Sequence, residues 1–212
     1  MSSGSLLLYY ITDGRQWEGT QAERRTRLLK KIAEAVEVGV DFVQVREKDL
    51  TTRELERLAR EAMGEIKRSS GRTRLLLNSR VDVALAVGAH GVHLRSRDIS
   101  AQEVRRIWKL AKGAGAPVIT ISCHTEKQVE ESAQAQADYA LLAPIFAKAG
   151  SSRVLGLELL HRASRHPIPI LALGGIGVEN ARSCIQAGAT GIAAIRLFQN
   201  NPLKQIIPQL RS

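Results

Sequence analysis

Eight short apolar runs, separated by segments of helical spacing, follow one another from one end of the chain to the other. Most of these runs are predominantly apolar, and Val, Ile, Leu and Ala are their commonest residues. Parallel strands that are covered by helices on both faces have this character, because neither face meets water. We therefore predict strands at residues 6–12, 42–46, 74–78, 91–94, 118–123, 139–146, 168–173 and 191–198.

The segments between the runs place their apolar residues on one helical face. Within residues 22–38 and 53–66, Leu, Ile, Ala and Val recur at the spacing of an amphipathic helix. Thr51 also stands three residues before Glu54, which is the arrangement of a capping box at a helix start. Strands and helices together make eight βα units.

A weak internal repeat accompanies these units. Ala-rich helical segments end near Gly39, Gly88 and Gly188, and an apolar run begins a few residues after each. Glycine allows the left-handed turn that ends a helix. Recurrence of such a unit predicts an α/β fold, a single (βα)₈ TIM barrel in one domain over residues 1–212. An open doubly wound sheet is the alternative, but no Gly-x-Gly-x-x-Gly follows the first run.

Composition limits the partners. The net charge is +10, but the basic residues are spread over several helices and only 4% of residues are aromatic, so we expect no specific nucleic-acid partner. Cys123 and Cys184 lie far apart and predict neither a disulfide framework nor a zinc site, which fits a reducing cytoplasm. The run at residues 6–11 is too short to span a bilayer, so we expect no membrane partner; self-association into a homo-oligomer stays open.

A group of cations and an amide stands at the end of the second predicted strand. Gln44, Arg46 and Lys48 alternate to one side of that strand, and Glu47 to the other. Two cations and an amide at a barrel mouth would suit a phosphate or diphosphate. A surface ion-pair cluster of these cations with Glu47 and Asp49 is an equally weighted alternative.

Polar residues also follow the third and fourth predicted strands. Asn78 would bind a ligand oxygen or, as the favoured interpretation, cap the helix that begins near Val81. Asp98 would bind a divalent cation such as Mg²⁺; capping of the next helix or pairing with Arg97 is favoured over that role by the sequence alone.

A histidine follows the fifth predicted strand. His124 has the ordinary chemistry of a general acid/base, and Ser122 beside it could hold a ligand. A half-exposed histidine at a helix start is an equally weighted interpretation of His124. His93 is a poorer candidate, because strand alternation would turn it into the barrel wall.

Glycines follow the seventh predicted strand. Backbone amides at Gly174 and Gly175, before a helix, can cradle a phosphate. Ile195 and Arg196, at the end of the eighth predicted strand, would lie alongside. Loops after strands 7 and 8 form the usual phosphate site of these barrels, so we favour phosphate binding over a plain tight turn.

These residues stand within motifs that resemble a known family. Residues 9–202 are similar to the thiamine phosphate synthase/TenI family of (βα)₈ barrels. The matching motifs are YITD (10–13), VQVREKD (43–49), LNSRVDVA (77–84), GAHGVHL (88–94), SCHT (122–125), APIF (143–146) and ALGGI (172–176).

The resemblance implies either of two reactions. The synthase joins a pyrimidine diphosphate to a thiazole phosphate and releases diphosphate, whereas the TenI branch aromatises a thiazole carboxylate phosphate without metal. For the synthase, the resemblance implies bound Mg²⁺ at Asp98. It assigns the pyrimidine diphosphate to Gln44, Arg46, Lys48 and Asn78, and the thiazole phosphate to Gly174, Gly175, Ile195 and Arg196.

The chain departs from the synthase pattern at three places. The family's Asn-Asp pair is Asn78-Ser79 here, which removes one carboxylate for Mg²⁺. The family's Pro-Thr-x-Thr-Lys loop is replaced at residues 147–151 by Ala-Lys-Ala-Gly-Ser, in which Lys148 could reach the space of the lost lysine. The family also carries a small Ser where Ile195 and Arg196 stand.

These losses fall on the diphosphate side and leave His124 and the glycine site in place. The sequence therefore slightly favours a TenI-like thiazole tautomerase with His124 as acid/base and no cofactor. A thiamine phosphate synthase that uses Mg²⁺ is the alternative, and a non-catalytic sensor of phosphorylated metabolites is a second one. All three bind phosphorylated small molecules.

Overall fold

A computed structural model describes residues 6–69, 72–147 and 154–211 of the chain. Eight parallel strands close into a barrel in chain order, since β1 pairs with both β2 and β8. This confirms the predicted (βα)₈ TIM barrel. The strands are β1 (Leu7–Ile11), β2 (Phe42–Val45), β3 (Arg74–Asn78), β4 (Gly91–Leu94), β5 (Val118–Cys123), β6 (Tyr139–Leu142), β7 (Ile170–Leu173) and β8 (Gly191–Ala194).

Helices surround the barrel and cover the outer faces of its strands. In chain order they are α1 (Gln21–Glu37), α2 (Thr52–Arg68), α3 (Val81–Val87), α4 (Ala101–Leu110), α5 (Glu126–Gln134), α6 (Gly156–Ala163), α7 (Val178–Gln186), α8 (Arg196–Gln199) and α9 (Leu203–Arg211). Thr51 and Glu54 form the predicted capping box at the start of α2. Among the described helices, none combines the length and apolar character needed to cross a bilayer.

Five strands are shorter than predicted: β1 and β2 lose single terminal residues, and β6, β7 and β8 lose longer segments. The eighth ends at Ala194, and Arg196 already belongs to α8. The apolar run at residues 191–198 continues through both elements, and periodicity cannot separate a buried strand from a short buried helix. The sixth strand ends before Pro144 and the seventh begins after Pro169. Proline has no backbone N–H for the strand ladder, so it stands outside both strands.

Aromatic and aliphatic side chains fill the lower part of the barrel interior. Phe42 lies between Tyr9 and Tyr139, with ring centroids 5.5 and 5.3 Å apart. Leu141 and Leu171 belong to the same interior cluster and are fully buried. This apolar filling occupies the amino-terminal part of the barrel interior, and the functional site of such a barrel is expected at the carboxyl ends of the strands.

Candidate active site

Hydrogen-bonded polar side chains cover the apolar filling. Gln44 donates from Nε2 to Oδ1 of Asn78 at 2.9 Å and accepts from the Tyr9 hydroxyl at 3.1 Å. The Tyr9 oxygen also lies 3.2 Å from Oγ1 of Thr120. The capping role favoured for Asn78 is wrong, because α3 begins without a side-chain cap. The amide of Asn78 instead belongs to this polar layer at the barrel mouth.

His93 completes the polar layer. Its Nδ1 lies 2.8 Å from Oγ1 of Thr120, and its Nε2 lies 2.8 Å from Oγ of Ser122. The prediction that His93 turns into the barrel wall is wrong, since it points into the interior with these two residues. Counting strand alternation from Asn78, which pairs in register with His93, would have placed both side chains inside.

The hydrogen bonds of this layer have a defined direction. The Tyr9 hydroxyl gives its single hydrogen to Gln44, so its oxygen accepts from Thr120. Thr120 must then accept from Nδ1 of His93, which leaves Nε2 to accept from Ser122. Burial, and then the charge of Arg46, lower the pKa of His93 to about 3. The ring is therefore neutral, as this chain of donors requires.

Cations form a rim above the polar layer. Arg46 reaches Oδ2 of Asp13 at 3.4 Å, and Arg15 binds both oxygens of that carboxylate at 2.9 and 3.0 Å. The pKa of Lys48 is lowered first by the charge of Arg46, then by partial burial and by Arg15, with Arg95 also contributing. The Asp13 carboxylate opposes this lowering. An anionic ligand would be attracted to a region in which several positive charges act together.

Glu47 lies on the opposite side of this segment, as strand alternation predicted. It is 8% exposed and accepts hydrogen bonds from the Thr12 hydroxyl at 2.5 Å and from the backbone N–H of Gly14 at 2.8 Å. The alternative of a surface ion-pair cluster is therefore wrong for Glu47. Its carboxylate anchors the β1–α1 loop, the loop that also carries Asp13.

Asp98 is held by groups from two loops. Ser79 donates to its Oδ2 at 2.5 Å, and the backbone N–H of Arg95 donates to the same oxygen at 2.8 Å. The Arg95 guanidinium binds Oδ1 through Nε at 3.1 Å and Nη2 at 2.9 Å. Burial would raise the pKa of Asp98, but the bonds from Arg95 and Ser79 hold it below its ordinary value. The predicted pairing with Arg97 is wrong; the partner is Arg95.

Mg²⁺, which the resemblance implied, does not fit these groups. It binds octahedrally to oxygen ligands, usually one or two carboxylates together with phosphate and water. Ser79 offers a hydroxyl where the family has a carboxylate, and both oxygens of Asp98 already accept hydrogen bonds. Within residues 6–69, 72–147 and 154–211, no three His, Cys, Asp or Glu side chains are grouped as metal ligands would be. The Mg²⁺ prediction at Asp98 is therefore not confirmed.

His124 lies at the edge of the mouth, two residues before α5. Its Nδ1 is 2.8 Å from the carbonyl oxygen of Ala143. A carbonyl can only accept, so Nδ1 is the donor of this hydrogen bond and Nε2 is the ring nitrogen available for proton exchange. A cavity of 350 Å³ is lined by His124 and Ser122 on one side and by Arg95, Arg97 and other residues of the β4–α4 loop on the other.

A second cavity, of 490 Å³, lies at the ends of β7 and β8. The structure brings the four predicted phosphate-site residues together on its wall: Gly174, Gly175, Ile195 and Arg196. Gly175 has φ +67°, and a Cβ there would lie 2.8 Å from the backbone oxygen of Ala147. Only glycine allows this approach, so the sequence fixes the shape of the cavity here. Lys148 and the rest of the altered loop through Ser151 lie outside the described residues.

Comparison with known proteins agrees with this geometry. Residues 8–198 match the family model described as thiamine monophosphate synthase. The thiamine-phosphate synthase of Syntrophomonas wolfei is 33% identical over 199 residues, which cover 92% of this chain and 89% of that protein. That of Roseiflexus castenholzii is 36% identical over 197 residues, which cover 91% and 81%. A solved thiamine phosphate pyrophosphorylase from Pyrococcus furiosus matches with a TM-score of 0.78 and 28% identity, covering 97% of this chain and 94% of that one.

The motifs quoted from the sequence, the closed barrel and these relatives all lead to the same assignment. The chain belongs to the thiamine monophosphate synthase family.

Proposed function

We propose that the protein is a thiamine-phosphate synthase, which couples a hydroxymethylpyrimidine diphosphate to a thiazole phosphate and releases diphosphate. Two of its relatives carry the synthase name at 33% and 36% identity. The structural observation that supports coupling is the presence of two separate anion-attracting regions at one barrel mouth. The cationic rim lies after β2, and the glycine cavity lies after β7 and β8. Transfer between two phosphorylated substrates needs two such regions, whereas aromatisation of one substrate needs one.

The pyrimidine diphosphate would occupy the side of the mouth formed by β2 to β5. Gln44 and Asn78 belong to the polar layer, and their amide groups suit a neutral aromatic ring. Ser122 gives its hydrogen to His93, so its oxygen is left to accept from an exocyclic amine. Arg46 and Lys48 stand above these groups and would bind the diphosphate.

The thiazole phosphate would occupy the cavity after β7 and β8. Gly174 and Gly175 would bring backbone amides to the phosphate, and Arg196 would add a positive charge. Ile195 is half-buried beside them and would pack against the apolar part of the ring.

Coupling requires no proton transfer at either of the two atoms that form the new bond. The bond from the pyrimidine methylene carbon to oxygen breaks, and its electron pair leaves with diphosphate. The lone pair of the thiazole nitrogen then forms the new carbon–nitrogen bond, so that nitrogen becomes cationic. Arg46 and Lys48 would stabilise the negative charge that grows on the leaving diphosphate. Closely placed substrate sites would hold the two reacting atoms in line.

Thiazole tautomerase activity is the second candidate. The sequence slightly favoured it, but the names of the relatives support the synthase better. The observation in its favour is the ring orientation of His124, whose Nδ1 donates to the Ala143 carbonyl, so that Nε2 is the nitrogen available for proton exchange. Such a nitrogen can accept and return a proton.

Two turnover assays on the purified protein test both candidates. The first supplies pyrimidine diphosphate and thiazole phosphate, with Mg²⁺ or with EDTA, and follows thiamine phosphate by mass spectrometry. The second supplies the unaromatised thiazole carboxylate phosphate alone. Coupling supports the synthase, and aromatisation without coupling would replace it by the tautomerase. If neither product forms, both candidates fail, and calorimetry with thiazole phosphate would then test the sensor alternative.

A histidine pair provides the control for the second assay. Replacing His124 by Ala should abolish aromatisation if that histidine is the acid/base. His161→Ala, an exposed change on α6, should leave the rate unchanged. Full aromatisation activity in the His124 variant would exclude it as the acid/base.

We further propose a cytoplasmic location, since both cysteines of the chain, Cys123 and Cys184, are free.

A further inference from the structure

We propose that Arg95 takes the place of a bound divalent cation in this protein, so that the barrel mouth binds diphosphate through Arg46, Lys48 and Arg95 without metal. The choice of diphosphate as the anion rests on the proposed synthase function. The structural basis is the environment of Asp98, the one acidic side chain that the family resemblance assigned to metal.

Asp98 already has its charge partner. Arg95 binds Oδ1 with Nε and Nη2, and its own backbone N–H binds Oδ2. Ser79 donates a further hydrogen bond to Oδ2 at 2.5 Å. A metal ion would have to displace the guanidinium to reach this carboxylate, and it would gain only a neutral hydroxyl from Ser79 in return.

The charge of the surrounding residues also opposes binding of a divalent metal ion. Lys48 lies in the combined field of Arg46, Arg15 and Arg95. The two carboxylates that form ion pairs with these arginines, Asp13 and Asp98, are each bound in this way. A free divalent cation entering the mouth would therefore meet excess positive charge, whereas a diphosphate would be attracted.

Arg95 is placed to bind an anion while it remains paired. Asp98 accepts the Nε hydrogen and one hydrogen of Nη2. Both hydrogens of Nη1 and the second hydrogen of Nη2 stay available to bind an anion. The Arg95 side chain is 68% exposed, and it lines the 350 Å³ cavity with Arg97, Ser122 and His124. A guanidinium presents its hydrogens in a planar fork that matches phosphate oxygens. Asp98 then acts as a positioning residue that holds this fork at the mouth.

Calorimetric titration of the full chain with inorganic pyrophosphate tests the proposal. Binding in EDTA should be as tight as binding in Mg²⁺, within about three-fold, which is the ordinary scatter of such contributions. Arg95→Gln should weaken binding in EDTA by about ten-fold or more, as expected for loss of a charged hydrogen-bond donor. Arg106→Gln is the matched control, because Arg106 forms the same i,i+3 pair with Glu103 on α4, and it should leave affinity unchanged.

A double variant tests whether metal dependence returns when the arginine is removed and the carboxylate is restored. Ser79→Asp with Arg95→Gln restores two carboxylates and removes the arginine charge. Ser79 has φ +58°, a conformation that aspartate tolerates. Pyrophosphate should then bind this variant more tightly in Mg²⁺ than in EDTA. Thermal melting of each variant shows that it is folded.

Three outcomes would overturn the proposal: wild-type binding that requires Mg²⁺, an Arg95→Gln variant with unchanged affinity, or no pyrophosphate binding in either condition. The assay uses neither pyrimidine nor thiazole, so its result is separate from turnover. Metal-independent pyrophosphate binding without thiamine phosphate formation would remove the synthase proposal and keep this one. Coupling that occurs only with Mg²⁺ would do the reverse.

Discussion

The Glu47 carboxylate accepts a 2.5 Å hydrogen bond from the hydroxyl of Thr12, and the same hydroxyl oxygen accepts the backbone N–H of Arg46. Through these bonds Glu47 ties the loop after β1 to the end of β2. The loop carries Asp13, which contacts the Arg46 guanidinium. A buried acid on the outer side of the strand thus sets the position of a cation on the inner side.

Titration of Glu47 should make stability depend on pH. Burial raises its pKa from 4.5 to about 7, although the bonds from Thr12 and Gly14 oppose the shift. Between these values the folded chain keeps a proton that the unfolded chain has lost, so the free energy of unfolding falls as pH rises from about 4.5 to about 7. The shift corresponds to about 3 kcal/mol at most. Urea unfolding of the wild type at pH 5 and pH 8 should show this loss.

Glu47→Gln is the control for that measurement. Its amide can accept from Gly14 and donate to Thr12, but it does not titrate. The variant should lose the part of the pH dependence that belongs to Glu47. Equal pH dependence in the wild type and the variant would contradict the raised pKa.

His93 should stay neutral throughout the working pH range. Its burial and the nearby Arg46 lower its pKa to about 3, and the bonds to Thr120 and Ser122 require one donor and one acceptor nitrogen. Nitrogen NMR should therefore find the hydrogen on Nδ1 between pH 5 and pH 8, with no titration step. A His93→Gln variant identifies the resonance. A shift with a midpoint in this range would show that the ring is charged and the assigned direction is wrong.

Gly175→Ala should damage the glycine cavity more than a strained backbone alone would. The residue has φ +67°, and the new methyl group would press on the Ala147 oxygen. Gly88 has the same φ but nothing within 4 Å of its missing Cβ, so Gly88→Ala measures the conformational cost alone. We expect about 1 kcal/mol for Gly88→Ala and about 2–4 kcal/mol for Gly175→Ala in urea unfolding. Equal losses of unfolding free energy in the two variants would mean that the residues around Gly175 move aside without cost.

The two proposed substrate regions should separate in steady-state kinetics. Lys48→Gln should raise the KM for pyrimidine diphosphate by about ten-fold and leave the KM for thiazole phosphate nearly unchanged. Arg196→Gln should do the opposite, because Arg196 lines the other cavity. Each variant serves as the other's control. An increase in the same KM by both variants would place both side chains in one region and argue against two-substrate geometry.

The amino-acid sequence by itself determined the alternating βα units and the face on which the site residues lie, and it favoured a barrel over an open sheet. Eight apolar runs and eight helical segments can be covered and satisfied only by an alternating α/β arrangement, and strand ends in such a barrel share one face. For that reason the sequence places Gln44 and Arg46 at the mouth, whereas Asn78 is assigned to a ligand there only by the family resemblance. Gly174 and Gly175 were also informative, because glycines before a helix at this end of a barrel indicate a phosphate site.

Tertiary structure alone decided which partners these side chains have. Asp98 could have paired with Arg97 by sequence distance, but its partners are Arg95 of the same loop and Ser79 of the loop after β3. His93 joined the interior because its register with Asn78 fixes its direction, and Arg196 began a helix where the apolar run suggested a strand. Hydrogen bonds and ion pairs between distant segments depend on distance and direction in three dimensions, and local sequence patterns do not contain either quantity.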